Sequence, residues 1–581
     1  MRTGLKLAAS ASLAGAVLLG GARPADACGC FTPPDPTVPV VQAGERIAFA
    51  RDNGIITAHI QVQYSGPAEE FGWLLPLPSE PELKLGTDEL FAQLIATTQP
   101  KYKMAREYHG ACPFDPANPN NNLGGAGGGP AAPDAEGGSR GDDDLVVIED
   151  SIGPYDYAVL RADSQQPMLD WLQENGYFVP SATAASVTPY IRPGAFFLAL
   201  KLQKGKEVGD LQPVVLKYAS DYAMIPIILT GVGATEDMPV LVWMMGDGRA
   251  IPRNYRHTVV NDAMIDWTTS GQNYIDVINR AVDEAPDAHS FVTEYAGTTD
   301  IMKDLLDAPG RFGTTAELAT NTTASAFIAY LLNHQYALFS NVTFQPQFTS
   351  QVLSILGREL PVPAELTAEG VLPNDYYVSF DYYQGYMQTA HPGAEVDITF
   401  DAAAVATELE EKIVTPTMEA GAMFRTNPKM TRLFTTLSPA EMTADPVFSY
   451  NQDLPDLANV HNAKAIFHCG FYGYDDINEV PATIETEQGW RLELERGIGS
   501  NPWPTAGMPA SVRTETLREE GAPEVLTDNE GAIEDIVGAR SGGGGCAAAP
   551  GTGSSGAGLT LLGLVGLGFG LGLTFLRRRR S

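Results

Sequence analysis

Basic residues, histidine and cysteine are scarce in this chain. Its 581 residues include 37 Lys and Arg against 71 Asp and Glu, with eight His and five Cys, and the formal net charge is −34. A surface this acidic repels nucleic acid and anionic lipid and attracts cations. We therefore expect no nucleic-acid partner, whereas calcium-dependent adhesion through the acidic surface stays open as one function.

The signatures of common catalytic and cofactor sites are also missing. The sequence has no Gly-x-Ser-x-Gly elbow between a strand and a helix, no His-Glu-x-x-His zinc pair, no phosphate loop ending in Gly-Lys-Ser/Thr and no Cys-x-x-Cys-His haem site. We therefore predict no catalytic residue, no cofactor and no metal site from motifs. The sequence leans against an enzyme without excluding one.

An apolar segment occurs near each end of the chain, and each has the length of a segment that directs a protein to or across a membrane. At the N-terminus two basic residues precede an apolar segment and then Ala-Asp-Ala, which is the layout of a cleavable secretory signal. We predict that residues 1–27 are a signal peptide and that signal peptidase cuts after Ala27. Lipid attachment to Cys28, the first mature residue, stays open.

The C-terminal apolar run is the second targeting segment. Residues 557–576 contain no charged side chain, and about 20 apolar residues are needed for a helix to cross a bilayer. A block of four arginines follows directly: Arg577, Arg578, Arg579 and Arg580. Because such blocks stay on the cytoplasmic side, we predict one transmembrane helix with the bulk of the chain exported to the cell envelope or outer surface.

The whole tail has a recognisable order: Gly542–Gly545, Cys546, the apolar run and the arginine block. It resembles the MYXO-CTERM class of C-terminal sorting signals. The resemblance implies that residues 546–581 are a sorting signal and that a dedicated intramembrane sorting protease cuts near Cys546. Whether the helix is retained stays open.

Four further cysteines are disulfide candidates. Cys28, Cys30, Cys112 and Cys469 form an even set in an exported chain, which favours two disulfides. A bond between Cys28 and Cys30 would close a very tight ring, so we expect each of them to reach either Cys112 or Cys469. The alternative is a metal site built from Cys28, Cys30, His468 and Cys469, although Cys-x-Cys is a poor match to the usual Cys-x-x-Cys zinc knuckle.

Three short segments carry clear local signals. Asn53-Gly54 lies between two β-rich runs and predicts a hairpin. The segment DELFAQLIATT, residues 88–98, predicts a helix with an acidic first turn. The tyrosine-rich segment DYYVSFDYYQGY, residues 375–386, is interpreted as a strand whose alternating tyrosines pack a sheet or a core.

Composition divides the mature chain into regions and predicts an α+β protein. Strand-like runs dominate the N-terminal half and helical runs follow, with a low-complexity polar insertion and a polar segment before the tail. The predicted parts are a β-rich α+β domain at 28–250 with a disordered insertion at 115–144, a mainly helical or mixed region at 251–500, and a flexible polar stalk at 501–545.

Several segments in order carry a second resemblance. They are CGCFTPP, ERIAFARDNGIITAHIQVQYSGPAEEFGWLLPLPSEPEL, YDYAVLRA, LDWLQENGYFVP and MTRLFTTLSPAEMTADPVFSYNQDLPDLANVHNA, spread from Cys28 to Asn462. Together they resemble the bacterial exported family called domain of unknown function 2330. The family has no assigned activity, so the resemblance implies export and a shared fold and supplies no catalytic residues.

Taken together, these features favour an exported binding or structural ectodomain, anchored through its tail, with an unknown extracellular ligand. The alternative is an envelope hydrolase acting on an extracellular polymer. Glu69 and Glu70 are adjacent and would point to opposite faces of a strand, so they make a poor acid pair. A concave pocket with two carboxylates would favour the hydrolase, and a broad exposed tyrosine-rich face would favour binding.

Overall fold

The protein is described here by a computed structural model. It describes residues 44–62, 72–110, 146–161, 163–175, 177, 183–203, 211–232, 234–339, 345–392, 399–470, 477–498, 503 and 506–537. The predicted signal peptide, the insertion at 115–144, the tail from Cys546, and Cys28, Cys30 and Cys112 lie outside these residues. Within them, no helix is both long and apolar enough to cross a membrane.

The described residues form 23 strands and 14 α-helices. The strands are β1 (Glu45–Asp52), β2 (Ile55–Val62), β3 (Gly72–Leu77), β4 (Glu82–Leu85), β5 (Lys101–Gly110), β6 (Val146–Ile152), β7 (Tyr155–Arg161), β8 (Phe196–Leu202), β9 (Val214–Ala219), β10 (Ala223–Met224), β11 (Met238–Gly246), β12 (Arg249–Pro252), β13 (Arg256–Val260), β14 (Ser290–Thr298), β15 (Ala337–Phe339), β16 (Pro346–Phe348), β17 (Lys429–Leu437), β18 (Val447–Asn451), β19 (Val460–Cys469), β20 (Ala482–Glu485), β21 (Arg491–Leu494), β22 (Ser511–Thr516) and β23 (Glu524–Asp528). The helices are α1 (Asp88–Thr98), α2 (Gln165–Glu174), α3 (Thr183–Val187), α4 (Ile227–Thr230), α5 (Tyr274–Asp283), α6 (Thr315–Ala319), α7 (Ala324–Asn333), α8 (Ser350–Glu359), α9 (Ala364–Ala368), α10 (Pro373–Val378), α11 (Phe380–Ala390), α12 (Ala402–Leu409), α13 (Thr415–Thr426) and α14 (Glu530–Val537).

A ten-stranded mixed sheet is the centre of the fold. Its strand order is β23-β22-β13-β14-β17-β11-β1-β2-β9-β4. Strand β1 runs parallel to β11 and β13 parallel to β14, and the other neighbours are antiparallel. The sheet combines strands from both sides of residue 250, and the domain boundary predicted there stays a prediction.

The hairpin predicted at Asn53-Gly54 is confirmed. These two residues join antiparallel β1 and β2, and both have positive φ, 49° and 79°. Two successive left-handed residues are what a tight hairpin turn requires, and Asn-Gly adopts them at low cost. The hairpin fixes which residues of β1 face each side of the sheet.

A second sheet covers one face of the ten-stranded sheet. Its order is β3-β8-β7-β6, and all its pairs are antiparallel. Ile47 and Phe49 of β1 pack into the core between the sheets, together with Leu75 of β3 and Leu198 of β8. This pair of sheets is called the sandwich below. The β-rich N-terminal region expected from the sequence is therefore present.

The opposite face of the ten-stranded sheet packs against helices α1 and α5 and a four-stranded sheet of order β21-β20-β19-β5. Ala48 and Ala50 of β1 point into this core. Helix α1 spans Asp88–Thr98, as the sequence predicts, and Thr87 caps it by accepting a hydrogen bond from the amide of Glu89.

A separate apolar core lies within the helices between α6 and α12. Ion pairing connects this helical region to α1: Arg311 Nη2 lies 2.7 Å from Glu89 Oε1, and both side chains are almost fully buried. The amide of Asp88 also donates to Gln351 Oε1 of α8 at 3.1 Å. The mixed α and β composition expected from the sequence is thus observed.

Two sequence predictions are wrong in the described residues. The flexible stalk predicted from residue 501 instead contains β22, β23 and α14, and β22 pairs with β13 in the main sheet. Met508 and Val512 of this segment are buried in the core. Burial of these side chains stabilises an ordered structure even though most residues of the segment are polar. The tyrosine-rich segment, predicted as a strand, forms helices α10 and α11 because its apolar residues recur at helical spacing.

Candidate functional site

A cavity of about 450 Å³ lies in the sandwich. Strands β1, β2, β3 and β9 supply most of its wall, including Ile47, Phe49, Ile60, Leu75 and Leu216. Its volume is within the range of pockets that hold small organic molecules, and its wall is mainly apolar, as such pockets usually are. We call this space the sandwich cavity.

Glu45 is the polar group that distinguishes this cavity. It begins β1, and the alternation of side chains along a strand places it on the same side as Ile47 and Phe49. Its side chain lines the cavity, yet the residue is only 6% exposed. Its Oε2 has no hydrogen-bond partner in the described part of the chain. Burial raises the pKa of Glu45 to about 7.

A second carboxyl group in the cavity wall is already bonded. Asp445 Oδ1 accepts a hydrogen bond from the hydroxyl of Tyr190 at 2.8 Å and another from the amide of Ile228 at 3.1 Å. Burial still raises the pKa of Asp445, and these hydrogen bonds oppose the shift. Asp445 therefore joins the segment after β17 to the first turn of α4, whereas Glu45 makes no comparable contact.

The remaining polar groups of the described wall are three tyrosines, Ser220 and Arg192. Tyr190, Tyr218 and Tyr222 line the cavity, and burial raises the pKa of Tyr218. The guanidinium of Arg253 lies 3.9 Å from the ring centre of Tyr222. Arg192 is exposed. The cavity therefore combines one unbonded carboxyl group with apolar and aromatic surface.

This arrangement is suited to binding. The described lining residues include no histidine, cysteine or lysine that could serve as an activated nucleophile or its base. The cavity does contain two carboxyl groups, the feature named above as favouring a hydrolase. Tyr190 and a backbone amide hold Oδ1 of Asp445 in place, whereas Oε2 of Glu45 is buried without a partner in the described residues.

A hydroxyl–imidazole–carboxylate chain occurs elsewhere in the main sheet. His257 Nδ1 lies 3.1 Å from Glu515 Oε2, and His257 Nε2 lies 3.0 Å from Thr293 Oγ1. The order of groups resembles a catalytic triad. All three residues are buried, however, and none lines the sandwich cavity. Their contacts hold β13, β14 and β22 together.

The sequence missed both polar groupings for simple reasons. Glu45 and Asp445 are 400 positions apart, and a glutamate at the start of a strand is usually exposed. Thr293, His257 and Glu515 come from three distant strands and carry no local motif. A single sequence offers no signal that would bring such residues together.

His468, a member of the alternative metal site, and the nearby His461 make local contacts. His461 stacks on Tyr102 with ring centres 5.0 Å apart, and its Nδ1 lies 3.1 Å from Glu487 Oε2. His468 lies on β19, and its Nε2 is 2.7 Å from Thr483 Oγ1 of β20. Cys469 is disulfide-bonded, and its partner lies outside the described residues. In the described residues, no three His, Cys, Asp or Glu side chains form a metal-binding group.

The clustered tyrosines separate into buried and exposed members. Tyr376 and Tyr377 are fully buried in the helical core. Tyr382 is 67% exposed, and its ring stacks with that of Tyr386 at 6.4 Å between centres. The exposed tyrosine face of α11 thus extends over one helical turn. Glu69 and Glu70 lie outside the described residues.

Comparison with known proteins gives one match. A family model described as "Uncharacterized protein conserved in bacteria (DUF2330)" matches residues 24–348, from before β1 to β16. The match contains most of the residues around the sandwich cavity, including Glu45, although Asp445 lies beyond it. Neither the curated proteins nor the solved structures give a match. More than half of the chain is covered, so the protein belongs to the DUF2330 family of uncharacterised bacterial proteins.

Proposed function

We propose that this protein is an exported envelope or cell-surface protein whose ectodomain binds a small, largely apolar ligand in the sandwich cavity. The observation that carries the proposal is Glu45, a buried carboxyl group with an unbonded oxygen in the wall of a 450 Å³ cavity. A buried polar atom without a partner is costly, and a ligand could supply the missing hydrogen bond.

The composition of the cavity wall favours binding over hydrolysis of a polymer. Ile47, Phe49 and Ile60 offer apolar contact and no hydrogen-bonding side chains. A polysaccharide or peptide would need a row of polar partners along an open groove. The exposed tyrosine face of α11 is small, and we assign the ligand to the cavity.

We expect a neutral probe, 2-phenylethanol, to bind to the full chain held in lipid nanodiscs, with the heat of partitioning into empty nanodiscs subtracted. Ala58 lines the cavity and is buried, so Ala58→Leu fills part of the space and should weaken binding at least about tenfold. Ala329→Leu makes the same change at an exposed position of α7 and should leave binding intact. Equal binding by all three proteins, or by none, would contradict the proposal.

Export and sorting of the ends are part of the proposal and rest on the sequence. We expect the protein recovered from its native envelope to begin at Cys28, to end near Cys546 and to gain about 4 Da on reduction, the mass of four hydrogens for two disulfides. Intact mass before and after reduction measures all three. A chain that retains Arg577 to Arg580 would instead indicate a plain membrane anchor.

The partner of Cys469 can be proposed from strand register. Strands β5 and β19 are parallel, with Gly110 opposite Cys469. Position 112 follows Gly110 by two residues, so Cys112 is within the reach of a disulfide without a long connection. We therefore propose Cys112–Cys469 in place of the pairing expected from the sequence, and peptide mapping of the unreduced protein should recover these two cysteines linked. A gain of about 4 Da then requires the tight Cys28–Cys30 bond as the second disulfide, whereas a gain of about 2 Da would leave Cys28 and Cys30 as free thiols. Linkage of Cys469 to Cys28 or Cys30 would contradict this pairing and support the one expected from the sequence.

A further inference from the structure

The proposed function does not specify the chemical class of the ligand. The charged groups that line the sandwich cavity indicate which ligand charge it favours. The ionisable acids and bases in its described wall are two carboxyl groups, Glu45 and Asp445, and one guanidinium, Arg192. Arg192 is exposed to solvent, where its charge is screened. The cavity is therefore a poor place for an anion, since an anionic ligand would share it with two carboxyl groups.

Glu45 needs a donor from its ligand. Its Oε2 is buried and accepts no hydrogen bond from the described residues, and Asp445 already accepts two. A carboxylate is an acceptor only, and a hydrogen bond to a charged donor is about twice as strong as one between neutral groups. An ammonium group provides three donors and the opposite charge in one small head.

The aromatic side chains add a second attraction for a cation. Tyr190, Tyr218 and Tyr222 all line the cavity, and the faces of tyrosine rings attract cations. The guanidinium of Arg253 already lies 3.9 Å from the centre of Tyr222, so Tyr190 and Tyr218 are the rings left for a ligand. The apolar strands of the sandwich would contact the rest of the ligand.

Resting on the proposed function, we propose that the ligand is a hydrophobic amine whose ammonium group binds Glu45 and whose apolar body fills the sandwich cavity. The volume of about 450 Å³ suits an amine with a single aromatic ring or a short alkyl chain. The proposed class of ligand comprises molecules with one ammonium group attached to an apolar group.

Three phenyl probes with different head groups test the class: 2-phenylethylamine, 2-phenylethanol and the slightly larger 3-phenylpropanoate. We expect calorimetry of the full chain in nanodiscs to show the amine binding at least about tenfold more tightly than the alcohol, with the carboxylate weakest. In Glu45→Gln most of the advantage of the amine should be lost, while the alcohol should bind with similar affinity because the side-chain oxygen of glutamine also accepts a hydrogen bond. Glu80→Gln, which alters an exposed carboxyl group, should behave as the unmodified protein.

The outcomes separate this inference from the function on which it rests. The ligand is not an amine if the alcohol binds as tightly as the amine, or if Glu45→Gln lowers the affinity for both probes equally. In either case the proposed binding function stands. If 3-phenylpropanoate binds best, the cavity selects anions and the inference is overturned. If no probe binds, both the function and the class are wrong.

Discussion

Replacing Arg432 with methionine should lower the free energy of unfolding by about 3–5 kcal/mol. Arg432 of β17 pairs with Glu294 of β14, and both side chains are fully buried. Tyr274 of α5 also donates to Glu294, so the carboxylate has two partners at the centre of the fold. Removal of the guanidinium leaves the buried carboxylate of Glu294 with only the phenol of Tyr274 beside it. Removing one partner of a buried ion pair costs more stability than replacing both partners with apolar residues.

Further contacts of Arg432 add to the expected loss. Its guanidinium lies 5.4 Å from the ring of Trp243 on β11, and its Nη1 lies 3.3 Å from Thr98 Oγ1 at the end of α1. The Trp243 indole also donates to Thr98 at 2.9 Å. One side chain thus connects β11, β14, β17 and α1, and its loss should loosen all four elements together.

Denaturant unfolding of the full chain, followed by tryptophan fluorescence, measures this effect. Lys429 of the same strand provides a matched control because it pairs with Asp456 at 2.7 Å on the surface, where both side chains are exposed. Lys429→Met should change the stability by less than about 1 kcal/mol. The double variant Arg432→Met/Glu294→Met should recover much of the loss. A cost for Arg432→Met no larger than that for Lys429→Met would show that the buried pair contributes little.

Local signals in the sequence were sufficient for much of the secondary structure. Asn53-Gly54 predicted the hairpin and the acidic first turn predicted α1, because turns and helix starts depend on neighbouring residues. The tyrosine-rich segment misled because Tyr376, Phe380 and Tyr383 could be counted as aromatic strand residues. Their spacing of four and three is helical, and the core of the helical region decides between the two patterns.

The arrangement of strands could not be predicted from one sequence. Strand β1 is covered on both faces, so the residues facing the sandwich and those facing α1 are both apolar and the alternation that would identify a face is weak. Strand β22 joins the main sheet 250 positions after β13. Its buried polar residues Ser511 and Glu515 are bonded to Glu284 and His257, which allows a polar segment to be part of the core.

The candidate site is non-local for the same reason. Its wall combines β1 to β3 with the segment around Tyr190, strand β9 and Asp445, and no motif connects these parts. The environment of Glu45 also changes its chemistry: a residue that the sequence presents as an ordinary surface acid becomes a buried one. This change can be measured through the dependence of stability on pH.

Glu45→Gln should stabilise the ligand-free protein at pH 8 by up to about 3 kcal/mol and leave its stability unchanged near pH 4.5. Burial raises the pKa of Glu45 from 4.5 to about 7. Between these values the folded state holds a proton that the unfolded state has lost, so the stability of the unmodified protein falls as the pH rises from 4.5 to 7. Above pH 7 the full cost of the buried charge remains, and glutamine, which has no charge, removes it.

Thermal unfolding from pH 4.5 to 8 measures the difference between the two proteins. Half-buried Asp88 and buried Asp262 also have raised pKa values, about 6 and about 7, so the unmodified curve alone does not isolate Glu45. The difference curve does, because those groups are common to both proteins. The stability difference between Glu80→Gln and the unmodified protein should not change with pH. If the difference for Glu45→Gln is also independent of pH, the carboxyl group of Glu45 is solvated or already paired.

The same measurement connects stability with binding. At pH 8 the cost of the charged Glu45 should be offset when an ammonium group pairs with it. Addition of 2-phenylethylamine should therefore raise the melting temperature of the unmodified protein more than that of Glu45→Gln, and 2-phenylethanol should raise the two equally. A larger shift from the amine in the glutamine variant would mean that the ammonium group binds elsewhere, because the carboxylate of Glu45 is the group to which we assign the ammonium.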